Sequence, residues 1–183
     1  MGKTIEVNVF SSKSIKQAIN QLKEYKKWIL KKTEQLIKEL AEAGIDVIDE
    51  NMEKASYTYD SKGIQSGSNT SHTTEVKIKK TGDTVTANLV VNGEELMFIE
   101  FGAGVYYNGS AGNSPHPKGA VNGMIIGSYG KHHGIQKVWG YYSDSGNLVL
   151  THGVEAQMPV YKAEMEIIQT YIDVARRAFN NGS

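Results

Sequence analysis

Phe98-Ile99-Glu100-Phe101-Gly102-Ala103-Gly104-Val105-Tyr106-Tyr107 opens a unit that breaks off into Gly, Ser, Asn and His. The pattern resumes at Val138-Trp139-Gly140-Tyr141-Tyr142 and closes on Thr151-His152-Gly153-Val154-Glu155-Ala156-Gln157-Met158-Pro159. Apolar and aromatic anchors therefore flank a stretch with almost nothing able to form a core. Nine of the 19 glycines fall between Gly102 and Gly134, so backbone freedom is concentrated in one place. A small domain that carries so long an insertion usually uses it to touch something else.

The 183 residues fit one domain, 1–183, with 105–135 as a flexible inserted loop. Lys plus Arg equals Asp plus Glu at 20 each, so no net field holds the chain on nucleic acid or on an anionic membrane. The absence of cysteine excludes disulfides, thiol catalysis and thiolate metal sites, and fits a reducing compartment. The first residues carry frequent charge and no apolar run, so neither a signal peptide nor a membrane span is readable there.

On the N-terminal side, Ser14 to Glu53 contains no Pro and only Gly44. Ile15, Ile19, Leu22, Ile29, Leu36, Leu40, Ala43 and Val47 recur near the helical period, predicting one long amphipathic helix or two in tandem. Ser14 is the expected N-cap, and the thin apolar face between Leu30 and Leu36 marks a possible bend. Such a helix would run about 60 Å, longer than a compact domain of this size, which predicts that part of it projects or packs on a neighbouring subunit. Tyr57 to Ser71 is polar and reads as a mobile connector.

Val76 and Ile78, then Val85, Ala87, Leu89 and Val91, alternate with polar residues around Gly82-Asp83, predicting a β-hairpin. Asn92 is a candidate N-cap with Glu95 at the capping-box position, opening a short helix from Leu96 to Phe101 that Gly102 stops in a left-handed conformation. A strand over the same residues is the rival reading. Gln136 to Ser143 and Asn147 to Thr151 read as a second hairpin around Asp144-Ser145-Gly146. Pro159 begins a last helix, in which Tyr161, Met165, Ile168, Ile172, Ala175 and Phe179 form an apolar stripe. The fold class is α+β: a long N-terminal helix, antiparallel hairpins forming a small sheet, a C-terminal amphipathic helix packed on it, and the Gly-rich loop.

Chemical motifs are few. Gly102-Ala103-Gly104 lacks the spacing and βαβ context of a dinucleotide fingerprint, and no Walker motif, nucleophile elbow or paired-His zinc helix appears. His116, His132, His133 and His152 lie in or near the Gly-rich region, with solvated loop histidines favoured over a metal site. His152 pairs with Glu155 as an acid–base couple in one reading and bonds only the backbone before the last helix in the preferred one. No cofactor is expected.

Charge on the long helix is sorted. Lysines fill its first part, Lys23, Lys27 and Lys31 among them, and Glu42, Asp46 and Glu50 follow in the last part with no base until Lys54. Such like charges at i,i+4 each cost a few tenths of a kcal/mol. A solvated face explains them most simply. A head-to-tail contact between copies, basic end to acidic end, is the functional reading, and DNA phosphate contact a third. Of the aromatics, Phe98, Phe101 and Trp139 are assigned to the core, and tyrosines among Tyr106, Tyr107, Tyr141 and Tyr142 to partners.

The Phe-Ile-Glu-Phe-Gly-Ala-Gly of 98–104 resembles the Val-Glu-Phe-Gly-Thr-Gly core of the tail-completion, or head–tail joining, proteins of long-tailed bacteriophages and prophages. Ala156-Gln157-Met158-Pro159-Val160-Tyr161 looks like that family's Pro-containing entry to its last helix, and the order of elements agrees. The resemblance implies a non-enzymatic virion structural protein without an active site, forming a ring, typically a hexamer, in the neck at the top of the tail. DNA would pass through its lumen, touched without specificity. Its partners would be further copies of itself, the adjacent head connector and tail-terminator or tail-tube proteins, with no membrane. It would assemble in the host bacterial cytoplasm. Glu100 would sit within the central motif, Gly102 and Gly104 would turn the chain into the loop, and the loop would contact adjacent rings. The interface candidates are Lys23, Lys27, Lys31, Glu42, Asp46, Glu50, Glu100, Tyr106, Tyr107, Tyr141 and Tyr142. Two alternatives stand beside this reading: a metal-assisted hydrolase using the loop histidines, and a nucleic-acid-binding protein using the Lys-rich helix.

Overall fold

A single helix, α1, runs unbroken from Ser12 to Glu53 in the computed structural model, which describes residues 4–105, 114–118 and 136–180. Its 42 residues span about 63 Å. The thin apolar stretch after Leu30 does not divide it. Its N-cap is Ser11 rather than Ser14: Ser11 is extended, at φ −117 and ψ 110, and its hydroxyl accepts the Ser14 N–H at 3.3 Å. The Ser14 hydroxyl instead accepts from the Asn8 N–H at 2.9 Å, because a turn over Asn8–Ser11 brings the preceding chain back to the helix.

The other elements follow as β1 (Thr58–Tyr59), β2 (Gln65–Ser66), β3 (Thr73–Thr81), β4 (Thr84–Asn92), α2 (Leu96–Phe101), β5 (Trp139–Tyr142), β6 (Leu148–Thr151) and α3 (Pro159–Asn180). This is an α+β fold. α3 packs antiparallel to α1. Lys162 reaches the Asn51 side-chain oxygen at 2.8 Å near one end, and Phe179 meets Trp28 edge-on, 5.8 Å between ring centroids, at the other. The β3–β4 hairpin lies along α1 as well, with Lys80 on Glu34 and Asp83 on Lys26. Gly44 is where the three meet: a Cβ there would stand 3.0 Å from both Ile167 and Leu89. Ile48, Met52, Ala55, Ile99, Val154 and Ala163 form the core around the C-terminal end of α1, with Leu89, Val91 and Leu96 packed against it.

The first hairpin has the predicted strands, in register from Thr73↔Asn92 to Thr81↔Thr84. The second joins a separate, four-stranded sheet ordered β1-β2-β6-β5, in which β2 and β6 run parallel. Residues 57–71 are thus part of the fold and not simply a connector. The Asp60 side chain accepts the N–H groups of Lys62 and Ile64, closing a turn, and the Gln65 carbonyl accepts from the His152 N–H and the Thr151 hydroxyl.

α2 is helical, as expected, but Asn92 stays in β4 and Glu95, at the N-cap position, makes no cap bond. Its carboxylate takes the Ser68 hydroxyl and, at 3.0 Å, the Asn69 N–H. Gly102 ends α2 at φ 80 and ψ 154, an extended positive-φ conformation open essentially to glycine alone, rather than the left-handed helical one. Ala103 then pairs with Val154 through backbone bonds of 2.8 and 2.7 Å, which join the two halves of the interrupted unit.

Two packing expectations are corrected. Phe98 is 48 % exposed, whereas Phe101 is buried. On α3 the buried residues are Pro159, Ala163, Val174 and Ala178, while Ile168 and Ile172 face outward with Tyr171. The close α1–α3 contact selects small residues on the inner face and leaves larger apolar ones outside.

Candidate functional site

α3 begins with a problem its own sequence does not solve. Met158 occupies the N-cap position: its carbonyl accepts the Lys162 N–H at 2.9 Å, and its φ is 53. A methionine side chain offers no oxygen for the orphan N–H groups of the first turn. Glu100, on α2, supplies both. Its Oε2 accepts from Val160 N–H at 2.8 Å and its Oε1 from Tyr161 N–H at 3.0 Å. A carboxylate at a helix N-terminus is further favoured by the helix dipole.

The carboxylate is 5 % exposed and has a third partner, His116, itself 5 % exposed. His116 Nε2 lies 2.9 Å from Glu100 Oε1, while Nδ1 accepts the Lys118 N–H at 2.9 Å. That second bond fixes the tautomer with its proton on Nε2, where it donates to Glu100. The imidazole packs between Phe101 and Tyr161, with centroids 4.5 and 5.1 Å away. The Ser114 hydroxyl donates to the Phe101 carbonyl at 2.6 Å, and Lys118 pairs with Glu164 of α3 at 2.6 Å. The hydrogen bond from Lys118 to Glu164 holds the Lys118 pKa above its ordinary value. Residues 114–118 are therefore a foot by which the insertion stands on α2 and α3. The rest of 106–135 lies outside the described residues.

This arrangement is a closed structural cap. Every Glu100 bond is to the chain's own donors, so Glu100, expected at an interface, is turned inward. Lys23, Lys27 and Lys31 are exposed on α1, and Lys27 pairs with Glu24 at 2.8 Å. Glu42 faces Lys38 at 3.6 Å, Glu50 pairs with Lys54 at 2.6 Å, and Asp46 is exposed. Tyr142 is 76 % exposed, whereas Tyr141 shares a 3.4 Å bond with Gln65. Tyr106 and Tyr107 lie outside the described residues. Trp139, half-buried, donates its indole N–H to the Gly104 carbonyl at 2.9 Å.

The histidines within the described residues have structural partners. His152 bonds the Lys137 carbonyl at 2.8 Å and Asp60 at 3.2 Å, in place of Glu155. Those two bonds raise its pKa. His72 ties the base of the hairpin to α1 through Asp49 at 2.9 Å. Burial opposes its protonation, but the bonds to Asp49 and the Thr70 carbonyl, with the Asp49 charge, outweigh it and raise the pKa. Among the described residues no three His, Asp or Glu side chains converge on a metal-sized site, and no helix is long and apolar enough to cross a membrane. His132 and His133 fall outside them.

Apolar residues stay exposed on both helices, on α1 within a helix expected in part to project or to pack on a neighbouring subunit. Ile15, Ile19, Leu22 and Tyr25 are 39, 45, 56 and 40 % exposed on α1, and Ile168, Tyr171 and Ile172 are 53, 51 and 46 % exposed on α3. Their periodicity marks helices but not which of two faces is covered. No protein-family model matches this chain, and neither does any curated protein or solved structure.

Proposed function

We propose that this chain is a non-enzymatic structural subunit of a phage virion, a ring-forming tail-completion protein at the head–tail junction. The observation that carries the reading is the use made of Glu100. The motif carboxylate at 98–104 caps the helix that begins at the second motif, 156–161, so the two resembling segments form one structural unit. A carboxylate committed to two backbone N–H groups and a buried imidazole is not available for acid–base work on a substrate. The same unit fixes both sides of the insertion's base, at Ala103–Val154 and at Ser114–Lys118, as suits a loop offered to neighbouring rings. Copies of this chain, the head connector and tail-terminator or tail-tube proteins are the partners, and the ring is a hexamer.

The test is location and mass together: light scattering on the purified protein, and identification of the chain in tailed particles. A strict monomer that is absent from particles refutes the proposal. For the hydrolase alternative, a stoichiometric transition metal lost on substituting His116, His132, His133 or His152 would displace it.

One observation favours a nucleic-acid reading: at 100° per residue Lys13, Lys16, Lys23, Lys27 and Lys31 share one face of α1. Duplex binding that weakens steeply with salt supports that reading.

A further inference from the structure

The ties at the base of the insertion differ in what a proton does to them. Where the insertion leaves the fold, Ala103 and Val154 exchange backbone bonds of 2.8 and 2.7 Å, which do not titrate. At the foot, His116 donates from Nε2 to Glu100 and accepts the Lys118 N–H at Nδ1, so the neutral imidazole satisfies both partners. Where the insertion returns, His152 Nδ1 lies 2.8 Å from the Lys137 carbonyl and Nε2 lies 3.2 Å from Asp60 Oδ2. Both of these partners are acceptors. A neutral imidazole has one N–H and one lone pair, so only the imidazolium donates to both.

The strands fix this geometry from two sides. The His152 N–H donates to the Gln65 carbonyl at 2.8 Å, beside the Gln65–Thr151 pairing of β2 and β6. Asp60 is held by its own turn: Oδ1 accepts the N–H groups of Lys62 and Ile64 at 2.8 and 2.9 Å, which leaves Oδ2 for the imidazole. The titratable groups on the bracketing segments are Asp60 and Lys62 of the turn, Tyr59 of β1, Lys137 before β5 and Glu155 after β6. Asp60 bonds the imidazole through its side chain and Lys137 through its carbonyl. On deprotonation a single N–H is left to share. It stays on Nε2, because the Asp60 carboxylate is the stronger acceptor and its turn holds it in place. The Nδ1 lone pair then faces the Lys137 carbonyl, a contact that repels. Lys137 precedes β5, outside its ladder with β6, so strand pairing does not hold that carbonyl against the repulsion.

We propose that His152 is a proton-dependent latch on the chain returning from the insertion: the imidazolium holds the Lys137 carbonyl beside the end of β6, and the neutral imidazole lets it go. The bond to the Lys137 carbonyl, followed by that to Asp60, raises the His152 pKa. The latch is therefore whole below the ordinary value of 6.5 and is lost as pH rises through the raised one. Linkage works in the other direction too: a partner that draws the Lys137 carbonyl away weakens the hold of His152 on its proton. The latch is independent of the virion reading.

The test is an NMR titration of the full chain from below pH 6.5 to well above it. The His152 imidazole and the Val138 amide, which shares a peptide plane with the Lys137 carbonyl, follow one curve, and the heteronuclear NOE of Val138 falls on its alkaline side. The Lys62 and Ile64 amides, bonded to Asp60, hold. Trypsin cleavage after Lys137, normalised to a short peptide with the same bond, rises severalfold across the same curve. His152→Gln, with its fold checked by circular dichroism, is cleaved at the alkaline rate throughout. A Val138 amide that ignores the His152 curve overturns the latch, and so does a pH dependence of cleavage that survives in His152→Gln. Lys62 and Ile64 amides that move while Val138 holds also overturn it, since the proton would then hold the turn instead. If His152→Gln does not fold, the wild-type curves of Val138, Lys62 and Ile64 decide alone.

Discussion

Replacing Glu100 by Ala removes an acceptor from three donors at once. The N–H groups of Val160 and Tyr161 and the Nε2–H of His116 lose partners at 2.8, 3.0 and 2.9 Å in a site 5 % exposed. An unsatisfied buried donor costs about 1–3 kcal/mol. Water entering the space left by the side chain relieves part of this, so the loss is about 3–5 kcal/mol, the range found when a buried charge-assisted pair is broken. Glu100→Gln keeps one oxygen but turns an amide NH2 toward a donor, and costs about 2 kcal/mol. Domains of this size have about 5–15 kcal/mol in total, so the alanine variant loses a large share of its stability. The assay is urea unfolding followed by circular dichroism. With a slope of about 2 kcal/mol per molar, the alanine variant loses about 2 M from its midpoint and the glutamine variant about 1 M. The amide protons of Val160 and Tyr161 shift upfield in both. Glu164→Gln is the control, since its pair with Lys118 is half exposed, and its midpoint stays within error of wild type. If Glu100→Ala moves the midpoint no further than Glu164→Gln does, the cap is not what holds α3, and the reasoning is refuted.

Gly104→Ala places a methyl group 2.5 Å from the Trp139 ring at a backbone φ of +65, and we expect a loss of about 2–4 kcal/mol with a red shift in tryptophan fluorescence; an unchanged midpoint contradicts the close contact. His72 and His152 have raised pKa values, so their contribution to stability is whole below the ordinary histidine value of 6.5 and is lost as pH rises through the raised values. Urea midpoints therefore fall across that window, and His72→Gln with His152→Gln flattens the fall; NMR titration of either histidine below 6.5 would contradict the assignment. Lys118→Ala frees only an exposed pair, so the midpoint holds, while limited proteolysis between Ser114 and Lys118 accelerates; equal cleavage rates argue against the foot.

Much of the fold was legible because it is local. The strict alternation around Gly82-Asp83 fixes the register of β3 and β4, and an apolar period without Pro makes α1, its thin stretch after Leu30 leaving only the bend undecided. What was not legible depends on distant partners. Ser11 takes the α1 cap because the chain turns at Asn8, and Glu95 is drawn from its capping-box place by Ser68 and Asn69. β2 forms because β6 lies beside it, with Gln65 opposite Thr151. The motif around Glu100 could be recognised as central, yet its role required seeing a helix that starts 59 residues later without a cap of its own. His116 looked like any loop histidine, since nothing in its sequence spacing points to a buried carboxylate. On α3 the periodicity gives the helix and its apolar stripe but not the covered face: Ile168 and Ile172 lie outside, because Ala163 and Ala178, small enough for close approach, take the inner one.

The central claim is that this chain is built to assemble, and it is tested most directly by cryo-electron microscopy of tailed particles made by cells that carry its gene. The expected result is a ring of copies of this chain at the head–tail junction. A junction complete without this chain would contradict it.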